Sequence, residues 1–220
     1  GIINNSGFRR AYLGRQGVSG YQISRSLRFN SSDTANLSRT FGSGDRTTWT
    51  WSAWVKGGGT GTLFGCTDGG SNDSTYQFLY IDGDYQLHLN GYFTLWRWTT
   101  RVFRDPAAWW HIVLVWDSNN ATPQDRIRIY INGEKLAASE FGNANNNPSS
   151  GASSSINRAA HHVIGNSPGG YFNGYLADIY FIDGQALTSS SFGETDSYGI
   201  WNPKAYSGTY GTNGFHLDFF

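Results

Sequence analysis

Between Trp109 and Ile131 the apolar and polar positions fall into two runs of period two, the spacing at which successive side chains leave a strand on opposite faces. In the first run His111, Val113 and Val115 alternate with Trp110, Ile112, Leu114 and Trp116, so both faces are apolar until Asp117-Ser118-Asn119-Asn120. Such a strand has to be covered on both sides and lies inside a sandwich. In the second run Ile127, Ile129 and Ile131 alternate with Arg126, Arg128 and Tyr130, giving one dry face and one wet face before the turn dipeptide Asn132-Gly133.

The same grammar predicts strands over residues 49–56, 61–66, 76–81, 86–90, 95–102, 161–165 and 174–182, with a short first strand at Leu27 and Phe29 and a last one at Phe215, Leu217 and Phe219. Those two terminal strands are expected to pair with each other. Turn signals separate the runs at Asp82-Gly83-Asp84, Asn90-Gly91 and Asp183-Gly184. Residues 142–155, GNANNNPSSGASSS, read as a mobile surface loop with nothing to bury. Single helical turns are expected at Asp105–Ala108 and Thr188–Phe192, the second capped by Thr188. Residues 1–22 show no sustained period and read as an arm or linker, leaving residues 23–220 as one all-β, antiparallel sandwich domain. No repeat of 20 to 50 residues is present, which argues against a solenoid or propeller.

Trp109-Trp110-His111-Ile112-Val113, then Ile129-Tyr130-Ile131-Asn132-Gly133, then Phe172-Asn173-Gly174-Tyr175-Leu176-Ala177-Asp178-Ile179 make residues 23–220 resemble the laminin-G/concanavalin A-like jelly roll. Ser26-Leu27-Arg28-Phe29-Asn30, Thr48-Trp49-Thr50-Trp51-Ser52, Val102-Phe103-Arg104-Asp105-Pro106, Tyr180–Leu187 and Gly208–Phe215 are similar to modules of marine phage virion proteins, tail fibres especially. The resemblance implies a virion-surface module that joins sibling subunits and other virion proteins and adheres to a host-surface glycan. It also implies that Trp49, Trp51 and Trp54 build the core. A fold hosts many functions, so a purely structural subunit and a cell-adhesion lectin domain stay open beside that expectation. The second of these would give a role to the acceptor-like tripeptides at Asn30, Asn36 and Asn120.

Composition narrows the classes. The chain has 220 residues with 29 glycines, 16% aromatic residues and three glutamates, a balance that favours strands and turns. Its net charge is zero, so no global field recruits nucleic acid or an anionic membrane. The charge is uneven at the start, where Arg9, Arg10, Arg15, Arg25 and Arg28 precede the first acid, Asp33; the arm is expected either to be solvated or to dock on an acidic neighbour. Cys66 is alone, which excludes an intrachain disulfide. No apolar run reaches the length of a membrane span. The absence of Met, even at position 1, is what a segment of a longer polypeptide would show.

Glu134, Glu140 and Glu194 are scattered among turns, Asp82 and Asp84 flank a turn glycine, and no paired carboxylates at glycosidase spacing emerge. Gly165-Asn166-Ser167-Pro168-Gly169 matches G-x-S-x-G by accident, since no helix can follow Pro168-Gly169-Gly170. His161 and His162 are adjacent, so a strand sends one inward and one outward and they cannot chelate one ion together. Calcium has candidate oxygens at Asp117, Asn119, Asn120 and Asp125, or at Asp82 and Asp84. For glycan, Trp96 and Trp98 project from one strand face about 7 Å apart, with Tyr92 beside them. Tyr171, Tyr198, Trp201 and Tyr206 are secondary aromatic contacts in Gly- and Asn-rich connections. The reading is a non-enzymatic domain.

Overall fold

Alternation sends one set of apolar side chains from each strand inward, and two sheets close over that shared set. The computed structural model describes residues 20–56, 58–67, 76–91, 95–166 and 170–220. Among them the chain forms sixteen strands, numbered here in chain order. The first sheet runs β1 (Leu27–Phe29), β13 (Gly174–Asp183), β3 (Thr48–Lys56), β8 (Trp109–Asp117), β9 (Ile127–Ile131) and β10 (Glu134–Lys135), with β16 (Phe215–Leu217) also on β13. The second runs β11 (Phe141–Gly142), β7 (Leu95–Val102), β6 (Gln86–Gly91), β5 (Gln77–Ile81), β4 (Gly61–Thr67), β12 (His161–Ile164) and β2 (Leu37–Thr40). A separate hairpin joins β14 (Gly193–Thr195) to β15 (Trp201–Pro203). Every pairing is antiparallel, as the sequence predicts for a jelly-roll sandwich.

The main core takes Trp49, Trp51, Ala53 and Val55 from β3, Ile112, Leu114 and Trp116 from β8, and Phe64, Leu79, Leu87 and Leu89 from the opposite sheet. Trp51 stacks on Phe64 across the sandwich with centroids 6.1 Å apart. The other face of β8 is apolar for a different reason. Val113 and Val115 join Tyr130, Tyr180, Ile182 and Phe192 in a second cluster, roofed by Ala186, Leu187, Tyr206 and Tyr210 from the C-terminal segment. That segment forms a third layer over the first sheet, and it corrects the expectation for Trp54. Opposite in parity to Trp51, Trp54 lies on this outer face, stacked on His111 at 5.0 Å, and is not a core residue.

The terminal strands do not pair with each other. Both add to the same edge of β13, β1 against residues 174–176 and β16 against residues 179–181, so they lie end to end. Between these stretches the register of β13 breaks at a bulge from Ala177 to Tyr180, and Asp178 takes a positive φ of 52°. The buried Asp178 carboxylate accepts hydrogen bonds from Tyr21 Oη at 2.5 Å and from His216 Nε2 at 2.7 Å. Tyr21, read from sequence as part of the arm, is therefore already tied to the sandwich.

The other end of β13 is held by a buried polar knot. Asp183 accepts from Asp45 N, Asn157 Nδ2 and Asn213 N, while Asn213 Nδ2 donates to Asn157 Oδ1. Further differences are local. Residues 142–155 do bury something: Ser154 is 1% exposed, and its hydroxyl donates to Gln77 Oε1. Thr188 precedes a short 3₁₀ turn, Ser189–Ser191, but its hydroxyl meets Ser190 Oγ and caps no backbone N–H. Asp105–Ala108 makes a single turn through Ala108 N and Asp105 O.

Candidate functional site

On the second sheet β5, β6 and β7 are neighbours, and their register fixes which outward side chains meet. Tyr80 lies opposite His88, His88 opposite Trp98, and Asn90 opposite Trp96. The rings form a continuous row: Tyr80 to His88 at 5.0 Å, His88 to Trp98 at 6.0 Å, and Trp98 to Trp96 at 5.4 Å with a 51° tilt. Trp96 is 55% exposed at the end of this row, and Trp98 is half-buried behind it. Gly142 of the edge strand makes room for Trp98, because a Cβ there would stand 2.1 Å from the indole Cε2.

Polar groups hold the indoles at set angles. Trp96 Nε1 donates to His88 Nδ1 at 3.3 Å, so the imidazole proton sits on Nε2, 2.9 Å from Asp82 Oδ2. Burial pushes the His88 pKa below its ordinary value, against the opposing pull of Asp82, and the ring is neutral at pH 7. Asp82 is held in turn by Asp84 N and Gln86 N, both of which donate to its Oδ1. Asn90 Nδ2 donates to Tyr80 Oη.

The polar stretch after β11 is the buttress of this row. Trp96 N donates to Asn146 Oδ1, and Asn143 Nδ2 donates to Trp96 O, so both backbone groups of the exposed tryptophan are satisfied by asparagine side chains. Behind Trp96 the buried Arg97 points the other way and donates to Ala144 O, Asn147 Oδ1 and Ile127 O. Desolvation lowers the pKa of this guanidinium, which nonetheless keeps its charge and clamps the loop to the strand.

The secondary aromatics are elsewhere. Trp201 lies over the outer face of the first sheet, against Gly133 and Gly193, where added Cβ atoms would come within 2.5 and 2.3 Å of its ring. Its Nε1 donates to His111 Nδ1 at 3.0 Å, and His111 Nε2–H donates to Ser52 Oγ at 2.8 Å. Desolvation holds the His111 pKa down at about 3. This buried Ser52–His111 contact cannot work as a nucleophile and base, since the nitrogen facing the hydroxyl carries the proton and the other is occupied by Trp201. Tyr171 is 37% exposed in the connection before β13, and Tyr198 is 75% exposed at the tip of the β14–β15 hairpin. Tyr206 belongs to the roof of the second cluster. Tyr92, and Ser167–Gly169 of the G-x-S-x-G match, lie outside the described residues.

Of the expected calcium ligands, Asp117, Asn120, Asp125 and Asp82 have oxygens engaged with basic side chains or N–H groups. Asp117 Oδ2 accepts from Arg128 Nη1 and Asn120 Nδ2, Asp125 Oδ1 pairs with Lys135 Nζ, and Asn119 Nδ2 donates to Thr47 Oγ1. A set that already faces two basic side chains does not fit a divalent cation. Among the described residues no three His, Cys, Asp or Glu side chains converge. Glu140 binds Arg101 and Ala137 N. His161 is exposed and His162 buried, the split that alternation requires.

Sequence reasoning named Trp96 and Trp98, which the structure places side by side, but not His88, Asn90, Asn143 or Asn146 around them. The first two were within reach: counting back across the loop between Gly91 and Leu95 sets Asn90 opposite Trp96 and His88 opposite Trp98.

The family described as the concanavalin A-like lectin/glucanases superfamily, laminin-G type, matches residues 29–191. No curated protein matches the sequence. Among solved structures, the fold is similar to the LG4-5 domains of the mouse laminin α1 chain (TM-score 0.51, 12% identity, 86% of this chain and 47% of that one). It is also similar to a carbohydrate-binding protein candidate from Bacteroides ovatus (0.50, 14%, 89% and 58%) and to a NanB sialidase variant from Streptococcus pneumoniae (0.52, 12%, 77% and 28%). The chain spans 28% to 58% of these three structures, and at such identities the likeness is one of fold.

Proposed function

The chain belongs to the concanavalin A-like lectin/glucanases superfamily, and from that premise we propose that it is a non-enzymatic glycan-adhesion module of a phage virion, carried on a tail fibre or another surface appendage. The observation that carries the adhesion reading is the Trp96–Trp98 pair, one indole open to solvent and both fixed in angle by His88 and Gly142. A pyranose ring has one flat apolar face, which an exposed indole covers well, and hydroxyls at its edge, which the exposed amide of Asn143 beside Trp96 is placed to meet. The virion assignment rests on the likeness of motifs such as Ser26–Asn30 and Tyr180–Leu187 to phage modules. A shallow site of this kind binds at about millimolar strength, roughly 4 kcal/mol, and many copies on a particle supply the avidity.

A second surface favours contact with sibling subunits. Tyr198 and Ile200, 75% and 48% exposed, project from the β14–β15 hairpin on the first sheet's side of the domain. In this reading the module contributes rigidity and shape through that hairpin while the opposite sheet meets the host.

The test is binding of labelled chain, displayed multivalently, to host cells and purified envelope polysaccharide. Trp96→Ala, checked for an unchanged thermal transition, is expected to weaken saturable binding at least about tenfold, the equivalent of 1.4 kcal/mol. Absence of binding by the multivalent wild type, or binding indifferent to Trp96→Ala and Trp98→Ala, would refute the adhesion site.

A further inference from the structure

The lateral edge where β2 of the second sheet faces β16 of the first holds an apolar cleft of about 300 Å³. Leu37, Phe41, Phe64, Ile164, Phe215 and Leu217 line it. Phe41 packs on Phe181 at 5.4 Å and on Phe215 at 6.3 Å, so the floor is the edge of the main core itself. We propose that this cleft binds an amphiphile made of a straight apolar chain and an anionic head, with Arg39 taking the head.

The size fits a chain of modest length. Ligand sites begin at about 300 Å³, and at roughly 30 Å³ per water-sized group such a space holds about ten methylenes. The wall is apolar even where it is a histidine. His162 Nε2 accepts from Asn157 N and its Nδ1–H donates to Ala160 O, so both nitrogens are spent and the ring offers only its face, stacked 3.8 Å from Phe41. Burial holds its pKa down at about 4. Apart from Ser38 and Arg39 on β2, no wall group binds water strongly, and a hydrocarbon chain displaces little that the rest of the cleft would miss.

The head is specified by Arg39. It shares the inner face of β2 with Leu37, lies opposite His162 in the register, and lines the cleft with its guanidinium 5.6 Å from the Phe41 centroid. Among the described residues no carboxylate pairs with it. An inward-pointing charge on an edge strand also discourages sheet extension, and that role accounts for a charge on β2. It does not account for an apolar cavity beside it, and the conjunction of the two selects an anion with a tail. Arg158 adds positive potential at His162, of the same sign.

Calorimetry of the whole chain with decanoate, below its micellar concentration, tests this. One molecule is expected to bind with a negative heat-capacity change. Acetate is expected to give no heat, and decyltrimethylammonium to bind at least about fivefold more weakly, the scale of one partly exposed ion pair. Leu217→Trp, which fills the cleft, should abolish binding; if that variant loses its thermal transition, Leu37→Trp fills the opposite wall and asks the same question. Arg39→Gln should remove the preference for the anion, and Trp96→Ala should bind decanoate as the wild type does, separating this site from the glycan platform. No heat with decanoate, equal binding of the cationic amphiphile, or unchanged binding in the folded cleft-filling variant would overturn the proposal.

Discussion

The two sheets carry the same small device on their outer faces, a tryptophan Nε1–H donated to a histidine Nδ1 with a second indole stacked beside the imidazole. On the first sheet it is Trp201 on His111 with Trp54; on the second it is Trp96 on His88 with Trp98. The difference is the third layer. The C-terminal segment covers the first sheet, so His111 is 1% exposed and Trp201 is wedged against two glycines. Among the described residues nothing comparable covers Trp96, which is 55% exposed. One pair of chemical groups thus serves as an internal fastening where it is roofed and as an available surface where it is not.

The sharpest way to separate the two is acid. His111 and His162 are held neutral by burial, with pKa values of about 3 and about 4, whereas in the unfolded chain each takes up a proton near 6.5. Because the folded values are depressed, the unfolded state binds more protons in this window, and the stability these residues contribute is full above pH 6.5 and falls as pH drops. Two such groups give a slope of about 2.7 kcal/mol per pH unit, so roughly 5 kcal/mol is lost by pH 4.5. Urea unfolding at pH 7, 5.5 and 4.5 measures it, and a flat profile would contradict the closed description of His111. His88, lowered but beside Asp82, is expected to titrate above His111 in a proton NMR titration, and its protonation should free Trp96 because Nδ1 can no longer accept.

Next in size is the contrast between the two indoles that donate to a histidine, Trp201 and Trp96. Trp201→Ala should cost about 3 kcal/mol, the lower end for a large aromatic, since it leaves a cavity over Gly133 and Gly193 and removes the donor to buried His111. Trp96→Ala should cost less than about 0.5 kcal/mol, as surface changes do. Denaturant midpoints of the two variants check this, and equal losses would mean that the outer face of the second sheet is as structural as that of the first.

The strands that make both faces were legible because period-two patterning is strongest where a face is dry. The runs over β3, β8 and β13 have little freedom to be anything but buried strands, and β7 was placed with its own ends. What the sequence hid shares a cause. β2 carries one apolar residue, Leu37, in four, and the roof over the first sheet is built from scattered Ala186, Leu187, Tyr206 and Tyr210, which no local period connects. Trp54 was assigned to the wrong face because likeness to a family outweighed its parity. At the candidate site, spacing puts Trp96 and Trp98 on one face, as the structure has them, but not the Asn-rich buttress, because a run of Asn, Ser and Gly has the same composition whether its amides face water or replace a missing strand partner.

That buttress supplies the third prediction. Replacing Asn143 and Asn146 by Ala strips Trp96 of both its backbone partners at an exposed edge, where water can replace them, so the loss is about 1 to 2 kcal/mol for the pair. Glycan binding should fall with it while decanoate binding stays. If the double variant binds glycan as tightly as the wild type, the open face is held by its tryptophans and His88 alone, and the loop is only their neighbour.

The smallest expected effect concerns calcium, and it asks whether internal satisfaction of polar atoms extends to the rim. The loop after β8 has the oxygen-rich composition of a cation site, yet Arg128 stands 3.1 Å from Asp117 Oδ2 with both side chains largely buried, and Lys135 lies 2.5 Å from Asp125 Oδ1. A divalent ion would have to displace both basic groups, leaving Arg128 buried without its carboxylate, and that penalty exceeds what a weak site returns. With a dissociation constant of 1 mM, calcium at 5 mM would stabilise the fold by about 1 kcal/mol. The expected change is under about 0.3 kcal/mol, read as an unmoved thermal midpoint on adding 5 mM calcium after chelator treatment. A saturable shift that disappears in Asp117→Asn would show that the rim is open in the sense that the Trp96 face is open, and the division between a closed first sheet and an available second sheet would fail at that loop.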